Sequence, residues 1–234
     1  MDAATAEGLK RRAAEVALTY VRSGMVLGLG TGSTVQHLID LLGDAVEAGS
    51  LTDIVGVPTS EWTAREARVA GIDLVGLGDR GRLDLTIDGA DEVSPELDLI
   101  KGMGGALLRE KMVAQASERF LVIADERKAV LRLGTLSALP VEVVEWGHEV
   151  HAEFIRSTGA EVSVRRTKEG GPYRTDNGNV VLDCRYPNGL DDPPGLESDL
   201  RARAGVVETG LFLGLADEVV IASEEGVRVL ERRE

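Results

Sequence analysis

Short apolar runs alternate along the chain with longer stretches in which apolar residues recur every three or four positions. The short runs end in glycine, aspartate or other polar residues, a pattern typical of buried strands, and the longer spacing predicts helices. Strands that alternate with helices of this length are typical of a parallel sheet covered by helices. We therefore predict a Rossmann-like α/β domain over roughly the first 130 residues. The predicted strands are 25–29, 53–57, 72–75, 83–87, 97–100 and 120–124, and the predicted helices are 8–22, 60–70, 105–118 and one through Val35, Leu38, Ile39 and Leu42.

The order of the predicted elements changes near Gly134. From there the pattern predicts strand, helix, strand, strand, helix, strand, which is the split unit of ferredoxin-like α+β folds. The last apolar runs are predicted to be short strands that rejoin the first sheet. We therefore expect a Rossmann-like α/β catalytic domain over 1–133 plus 214–234 and a smaller α+β ferredoxin-like domain over 134–213. The predicted elements after Gly134 are strand 139–144, helix 147–158, strands 161–165 and 179–184, helix 196–203, strand 206–212, and short strands at 218–222 and 227–230.

Composition narrows the class of protein. The 234 residues, 43% of them hydrophobic, are enough for a substantial core. No run reaches the roughly 18 apolar residues of a membrane span, and no secretory signal is evident, so a cytoplasmic location is expected. A net charge of −14 disfavours nucleic acid and anionic membranes as partners. The single Cys184 is expected to be a core thiol, and His148 and His151, one helical turn apart without a third ligand, to lie on a surface helix.

The lysines are few, which makes each of them informative. Of 26 basic residues five are lysines, whereas arginine supplies the rest. In an acidic protein that binds an anion, positive charge has to be concentrated at the site, and lysine positions are candidates for it. Chance explains the same count equally well. The lysines are Lys10, Lys101, Lys111, Lys128 and Lys168.

The first glycine-rich turn, Gly28 to Thr34, follows the predicted strand 25–29. Glycines let the backbone approach an anion, and a helix N-terminus offers unpaired N–H groups. The hydroxyl groups of this turn are expected to cap the following helix. Ser33 stands where the third glycine of a dinucleotide fingerprint belongs, and a P-loop lysine is absent, so a smaller phosphorylated ligand is favoured. A tight turn without a ligand is the alternative.

The second turn, Asp88-Gly89-Ala90-Asp91, places two carboxylates three residues apart. Asp-Gly is by itself a strong turn signal. Two functional interpretations stay open: binding of sugar hydroxyl groups with proton transfer, or ligation of Mg²⁺ together with a substrate phosphate.

The third turn, Lys101 to Gly105, opens a helix that contains Glu110. A lysine before a glycine-rich loop can neutralise a developing oxyanion, and a partly desolvated carboxylate suits a general base. By itself, Glu110 in the second helical turn is more simply a solvated charge. We read each of the three turns as following a buried parallel strand, and Lys128 as following a fourth, so all are expected at the carboxyl edge of one sheet, where ligands of α/β proteins bind.

The motifs together resemble ribose-5-phosphate isomerase type A, from about Leu9 to Val229. The resemblance rests on their shared order and spacing, which is more specific than any single loop. The matching segments are Gly30 to Thr34, Asp88 to Glu92, Lys101 to Ala106, Arg109 to Lys111, Leu139 to Val143, Thr175 to Asn179 and Gly205 to Phe212.

The resemblance implies an enzyme that interconverts ribose 5-phosphate and ribulose 5-phosphate without a metal or organic cofactor, as a homodimer or homotetramer. It implies that Glu110 is the general base of a cis-enediolate mechanism, that Asp88 and Asp91 hold substrate hydroxyl groups and assist ring opening, and that Lys101 stabilises the enediolate oxygen. The remaining implied substrate-binding residues are Lys10, Thr31, Gly32, Ser33, Thr34, Gly89, Ala90, Gly102, Met103, Gly104 and Lys128.

Met103 departs from the family pattern, which often has glycine there, so its side chain is expected to crowd the loop. Three other functions stay open. They are a non-enzymatic sugar-phosphate sensor, another enzyme of the same superfold such as an amino-sugar phosphate deaminase or a CoA transferase, and a Mg²⁺-dependent phosphatase.

Overall fold

The computed structural model describes residues 3–232. They form two compact units, the first comprising residues 3–90, 109–128 and 214–232, and the second Asp91–Leu108 and Ala129–Leu213. The helices are α1 (Ala3–Leu18), α2 (Ser33–Glu47), α3 (Glu61–Val69), α4 (Leu107–Gln115), α5 (His148–Ser157) and α6 (Pro193–Arg201), with a 3-10 turn at Glu126–Lys128. The strands are β1 (Val26–Leu29), β2 (Val55–Pro58), β3 (Asp73–Leu74), β4 (Leu85–Gly89), β5 (Glu92–Val93), β6 (Leu99–Ile100), β7 (Phe120–Asp125), β8 (Leu139–Val143), β9 (Glu161–Val164), β10 (Val180–Arg185), β11 (Val206–Thr209), β12 (Leu211–Phe212), β13 (Glu218–Ser223) and β14 (Gly226–Glu231).

A seven-stranded sheet with the order β14-β13-β7-β4-β1-β2-β3 forms the centre of the first unit. Neighbouring strands are parallel except for β13 and β14, which form an antiparallel hairpin at one edge. From β1 the chain order runs outward in one direction through β2 and β3 and in the other through β4 and β7. The order therefore reverses between β1 and β4, which is the topological switch point where α/β proteins bind ligands. The predicted Rossmann-like fold is confirmed, as is the return of the last two strands to this sheet.

Apolar side chains of α1 and α2 cover the sheet of the first unit. Leu38, Ile39 and Leu42 form one fully buried stripe of α2, and they pack with Leu27 and Leu29 of β1 in the same core. Burial of a leucine or isoleucine side chain contributes about 1.5–3 kcal/mol, so this layer fixes the position of the strand ends. None of the described helices is long and apolar enough to cross a membrane.

An antiparallel sheet with the order β11-β8-β10-β9 forms the main body of the second unit. Helices α5 and α6 connect its strands in the predicted sequence of strand, helix, strand, strand, helix, strand. This is the ferredoxin-like arrangement, and the prediction is confirmed. The core contains Val141, Ile155, Leu182 and Leu200.

The interpretation of segment 97–100 as a parallel strand of the large sheet is wrong. Its last two residues form β6, which pairs antiparallel with β5 and β12 in a separate three-stranded sheet of the second unit. Leu97 has φ 61°, which lies outside the extended region, so a continuous strand cannot run through this residue. Residues 91–108, assigned above to the large domain, therefore lie in the second unit.

The single predicted strand 206–212 is also divided. Gly210 separates β11 from β12, and its N–H donates to the carbonyl of Pro140 at 2.7 Å. A Cβ atom at this glycine would lie 2.3 Å from the carbonyl oxygen of Lys101, so only glycine lets the two backbones approach. The chain thus leaves the four-stranded sheet at Gly210 and joins the small one.

Candidate active site

The end of β1 and the start of the following turn lie against β4 with no space for a side chain at Gly28 or Gly30. A Cβ atom at Gly28 would lie 1.9 Å from Oγ1 of Thr86, and one at Gly30 would lie 2.1 Å from Oδ1 of Asp88. Gly32 has φ 126° and precedes the first residue of α2. The glycines of this turn therefore serve close backbone approach and a positive φ, which is the use glycine has in ligand-binding turns.

The threonine of this turn is held by a cluster of hydroxyl groups. Oγ1 of Thr31 lies 2.7 Å from Oγ1 of Thr59, 2.9 Å from Oγ of Ser60 and 3.0 Å from Oγ1 of Thr63. Thr63 in turn donates to the carbonyl of Gly30 at 2.8 Å. This cluster fixes the turn to the end of β2 and the start of α3.

The expectation that hydroxyl groups of residues 31–34 cap α2 is wrong. The residue at the N-cap is Gly32, which makes no side-chain capping hydrogen bond. Thr31 is engaged by the hydroxyl cluster, and Ser33 accepts a hydrogen bond from Nζ of Lys10 at 2.9 Å. An uncapped helix N-terminus beside a lysine attracts an anion, because the helix dipole and the ammonium charge act in the same direction.

Asp88 lies at the end of β4 and is fully buried. Its Oδ1 accepts hydrogen bonds from the backbone N–H of Thr31 at 3.1 Å and of Gly89 at 2.7 Å. The turns after β1 and β4 are thus joined through this carboxylate, directly at the switch point. A carboxylate oxygen that accepts two backbone N–H bonds is fixed in orientation.

Glu110 lies in the first turn of α4, one turn nearer the helix start than predicted, because α4 begins at Leu107. With 3% of its surface exposed it is buried, so the simpler interpretation as a solvated charge is wrong. The start of α4 favours a negative charge through the helix dipole. Farther along α4, Val113 packs against Gly28. A Cβ atom added at Gly28 would lie 2.6 Å from Cγ1 of Val113.

The two cations assigned to a phosphate lie in the first unit. Lys10 is bound by Ser33 and by Glu7, whose carboxylate lies 2.6 Å from the ammonium group. Hydrogen bonds from Lys10, then from His37, hold the pKa of Glu7 below its ordinary value. Lys128 ends the 3-10 turn that follows β7 and is partly buried.

The second unit contains the rest of the predicted residues, in a turn of its own. Asp91 accepts a hydrogen bond at Oδ2 from the N–H of Met103 at 2.9 Å and donates its own N–H to the carbonyl of Ile100 at 2.8 Å. Gly102 and Gly105 have φ 103° and 81°. Asp91 therefore closes the loop that starts at Lys101.

Lys101 is buried, with 2% of its surface exposed. Its N–H donates to the carbonyl of Gly210 at 2.9 Å, and its ammonium group lies 5.4 Å from the centre of the Phe212 ring. The backbone bond and the cation–π contact hold the lysine where its charge is largely shielded from water. A cation in such surroundings interacts strongly with an anionic partner.

Met103 is accommodated without crowding the loop. Among the described residues, Asp53 and Leu97 are the non-glycine residues with positive φ, so the backbone of Met103 is ordinary. Its side chain is 48% exposed. The loop N–H at this position is present, as expected, and donates to Asp91.

The structure thus brings Lys10 together with Ser33, and Thr31 with Asp88 and Gly89, in the first unit, and Lys101, Asp91 and Met103 in one turn of the second. It also shows residues that the sequence analysis missed: Thr59, Ser60 and Thr63, and in the second unit Arg165 and Tyr173. Thr59 and Ser60 follow an apolar run, which was a usable signal. Within residues 3–232, no group of three or more His, Cys, Asp and Glu side chains fits a metal ion.

Fold and site together define an α/β protein of the Rossmann-like class with a glycine-rich turn and a buried carboxylate, that of Asp88, at its switch point. The family model described as ribose 5-phosphate isomerase A (phosphoriboisomerase A) matches residues 55–226. Ribose-5-phosphate isomerase A of Chloroflexus aurantiacus is 49% identical over 228 residues, 97% of this chain and 95% of that protein. The chain belongs to the ribose 5-phosphate isomerase A family.

Solved structures agree with this assignment. A D-ribose-5-phosphate isomerase in complex with phospho-erythronic acid superposes with a TM-score of 0.94 at 39% identity, over 99% of this chain and 100% of that one. Ribose 5-phosphate isomerase from Plasmodium falciparum gives a TM-score of 0.94 at 34% identity, over 97% of this chain and all of that one.

Proposed function

We propose that this protein interconverts D-ribose 5-phosphate and D-ribulose 5-phosphate through a cis-enediolate, with Glu110 as the general base. The observation that carries the proposal is the burial of Glu110 at the start of α4, in a protein of this family. The reaction needs a base that takes a proton from the carbon next to a carbonyl group, and a buried carboxylate, shielded from water, suits that role.

The proton and electron balance of the reaction is simple. In the direction of the ketose, the Glu110 carboxylate takes the proton from C2 of the open-chain aldose. The C–H electron pair forms the C1–C2 double bond, and the carbonyl pair moves onto O1. The proton on O2 passes to O1, the O2 electron pair forms the C2 carbonyl, and the C1–C2 double-bond pair takes the proton back from Glu110 at C1. Redox balance is internal, so the proposed step needs no external oxidant or reductant.

The other residues have supporting roles in this proposal. Asp88 and Asp91 hold substrate hydroxyl groups and assist ring opening and proton transfer between O1 and O2. Lys101 stabilises the negative oxygen of the enediolate, the type of electrostatic contribution that is usually largest in such sites. Lys10, Lys128 and the turn at residues 31–34 bind the phosphate, whose binding energy positions the reacting carbons.

Proton NMR of ribose 5-phosphate in D₂O, with EDTA-treated protein, tests the proposal. We expect ribulose 5-phosphate to form with solvent deuterium at the exchanging carbon, because the base equilibrates its proton with water. Unchanged substrate in the presence of folded protein would contradict the proposal and favour a sugar-phosphate sensor. Activity that EDTA abolishes and Mg²⁺ restores would contradict the metal-independent mechanism.

The resemblance also leads us to propose a cytoplasmic homodimer or homotetramer. Light scattering after size exclusion tests the assembly against the subunit mass of 24.9 kDa. A monomer at micromolar concentration would contradict it.

A further inference from the structure

Arg165, which directly follows β9, binds carbonyl groups of the glycine-rich loop Lys101 to Gly105 in the second unit. Its Nη1 donates to the carbonyl of Gly102 at 2.8 Å and to that of Met103 at 3.1 Å. Only 10% of the side chain is exposed. One guanidinium nitrogen thus binds two consecutive carbonyl oxygens of the loop that follows Lys101.

Two further side chains fix the guanidinium group. Asp183 of β10 accepts from Nε at 3.0 Å and also binds Nη2, which is the bidentate geometry that arginine forms with carboxylates. The ring of Tyr173 lies 5.8 Å from the guanidinium carbon, and its hydroxyl group lies 3.4 Å from the carbonyl oxygen of Gly104. Asp183 and Tyr173 therefore prevent Arg165 from leaving the loop.

These contacts determine where the loop N–H groups point. In a trans peptide the carbonyl and the following N–H point in opposite directions. The Gly102 carbonyl faces Arg165, and the N–H of Met103 correspondingly donates to Asp91. The N–H of Gly105 turns back to the Gly102 carbonyl at 2.9 Å. The Met103 carbonyl also faces Arg165, so the N–H of Gly104 points away from the arginine.

Gly104 is exposed, and its N–H donates to no group in the described part of the chain. It is therefore an exposed donor of this loop that is available to a ligand. The positively charged guanidinium group that donates to the Met103 carbonyl polarises the Met103–Gly104 peptide group and strengthens its N–H as a donor.

We propose that Arg165 is a positioning residue that orients the Met103–Gly104 peptide, so that the Gly104 N–H stabilises the anionic oxygen of the reaction intermediate. The inference rests on the proposed isomerase function. Arg165 touches the loop and not the reacting atoms, so it acts through the direction of one N–H group. Without Arg165 the Met103–Gly104 peptide is free to rotate. The Gly104 N–H then stabilises the anionic oxygen less, and this loss falls mainly on the transition state.

The test compares Arg165→Met with the matched variant Arg166→Met. Arg166 is the exposed neighbour and donates to the carbonyl of Gly170 at 3.0 Å. For Arg165→Met we expect kcat to fall on the order of 10- to 100-fold with little change in KM, the size of effect that misplacing a site group produces. Arg166→Met should keep the wild-type kcat.

Binding separates positioning from a general loss of structure. Phospho-erythronic acid carries a carboxylate as well as a phosphate, so its affinity should fall in Arg165→Met, whereas the affinity for inorganic phosphate should not. Equal losses for both ligands, or none for phospho-erythronic acid, would overturn the inference.

Arg165→Lys keeps the test decisive if the methionine variant does not fold. Lysine retains the charge but cannot form the fork to Asp183 and the loop together, so kcat should be intermediate. A folded Arg165→Lys with the wild-type kcat would overturn the inference. A wild-type protein without isomerase activity would instead overturn the proposed function, and with it the reason for this inference.

Discussion

Glu110 shows how the position of a single residue decides its chemistry. In the sequence it stands between Arg109 and Lys111, as a carboxylate on the exposed face of a helix would. In the structure Arg109 turns outward to Glu61 at 2.9 Å, while Glu110 is buried. Arg109 therefore does not share the buried surroundings of Glu110, whereas Lys111 is buried as well.

Glu110→Gln removes the base and nearly preserves the shape of the side chain. We expect kcat to fall by about 10²- to 10⁴-fold, the usual contribution of a positioned general base. The thermal unfolding temperature should stay near that of the wild type. Steady-state kinetics and circular dichroism measure both quantities.

The exposed Glu118 provides the control, because Glu118→Gln makes the same chemical change outside the site. Near-normal turnover of Glu110→Gln would remove this residue from the central role.

Gly30 allows a second test at the residue scale. A Cβ atom there would lie 2.1 Å from Oδ1 of Asp88, so Gly30→Ala must displace the carboxylate from the N–H groups that bind it. We expect kcat/KM to fall on the order of 100-fold and stability by about 1–3 kcal/mol. Kinetics and urea unfolding measure the two losses.

Gly8→Ala is the matched control for this substitution. Gly8 lies in α1 with nothing within 4 Å of an added Cβ, and alanine is favoured over glycine within a helix. Activity should be unchanged and stability slightly higher. Equal behaviour of the two variants would show that the close approach at Gly30 is unimportant.

The turn chemistry of single residues was predictable, and burial was not. Aspartate and glycine at the ends of apolar runs marked the turns that contain Asp88 and Asp91. Whether a carboxylate such as Glu110 is buried depends on packing between elements, to which one sequence gives no access. The same holds for Arg165, whose partners at residues 102, 103 and 183 are distant in the chain.

At the scale of elements, His151 of α5 packs closely against the turn that contains Gly205. His151 was expected on a surface helix, but it is buried, and a Cβ atom at Gly205 would lie 2.6 Å from its Nε2. Burial lowers the pKa of His151, and the nearby charges of Arg203 and His148 lower it further. The folded protein therefore holds this ring neutral to lower pH than the unfolded chain does.

The pH dependence of stability follows from this shift. An unfolded histidine titrates near pH 6.5, so below that pH the unfolded chain binds more protons at His151 than the folded protein does. Its contribution to stability is thus complete above the unfolded pKa and is lost as the pH falls. Urea unfolding at about pH 7.5 and pH 5.5 should show a larger loss for wild type than for His151→Gln. Equal losses would contradict the prediction.

The hydrophobic pattern predicted the elements well where each strand is long and buried on both sides. β4 and β7 are such strands, and their parallel pairing follows from the helices between strands. The hydrophobic pattern failed for β6, because a strand of two residues has no alternation of apolar and polar positions from which its sheet can be inferred. The positive φ at Leu97 was equally invisible, since leucine rarely adopts it.

At the scale of the whole molecule, the chain passes between the two compact units four times, at 90/91, 108/109, 128/129 and 213/214. The short excursion 91–108 supplies β5 and β6, and β6 pairs with β12 from the end of the second unit. Each unit is therefore complete only when distant parts of the chain come together. The family could nevertheless be identified from sequence, because the order of motifs survives this interleaving.

A fragment of residues 129–213 tests the interleaving. It contains the four-stranded sheet but lacks β6, so β12, with the buried Leu211 and Phe212, loses its partner. We expect a poorly dispersed amide NMR spectrum and binding of a hydrophobic dye, in contrast to the full chain. A well-dispersed spectrum with cooperative unfolding would contradict the prediction.

The excursion at residues 91–108 also limits how this protein could have evolved. A gene segment transferred in one recombination event encodes one continuous stretch of chain, and a stretch such as 134–213 would arrive without β6, the strand that pairs with its last residues. Exchange of the smaller unit between relatives therefore requires two coordinated events or inheritance of the whole gene. Hybrids joined at a single point inside 91–213 should therefore be rare among natural sequences.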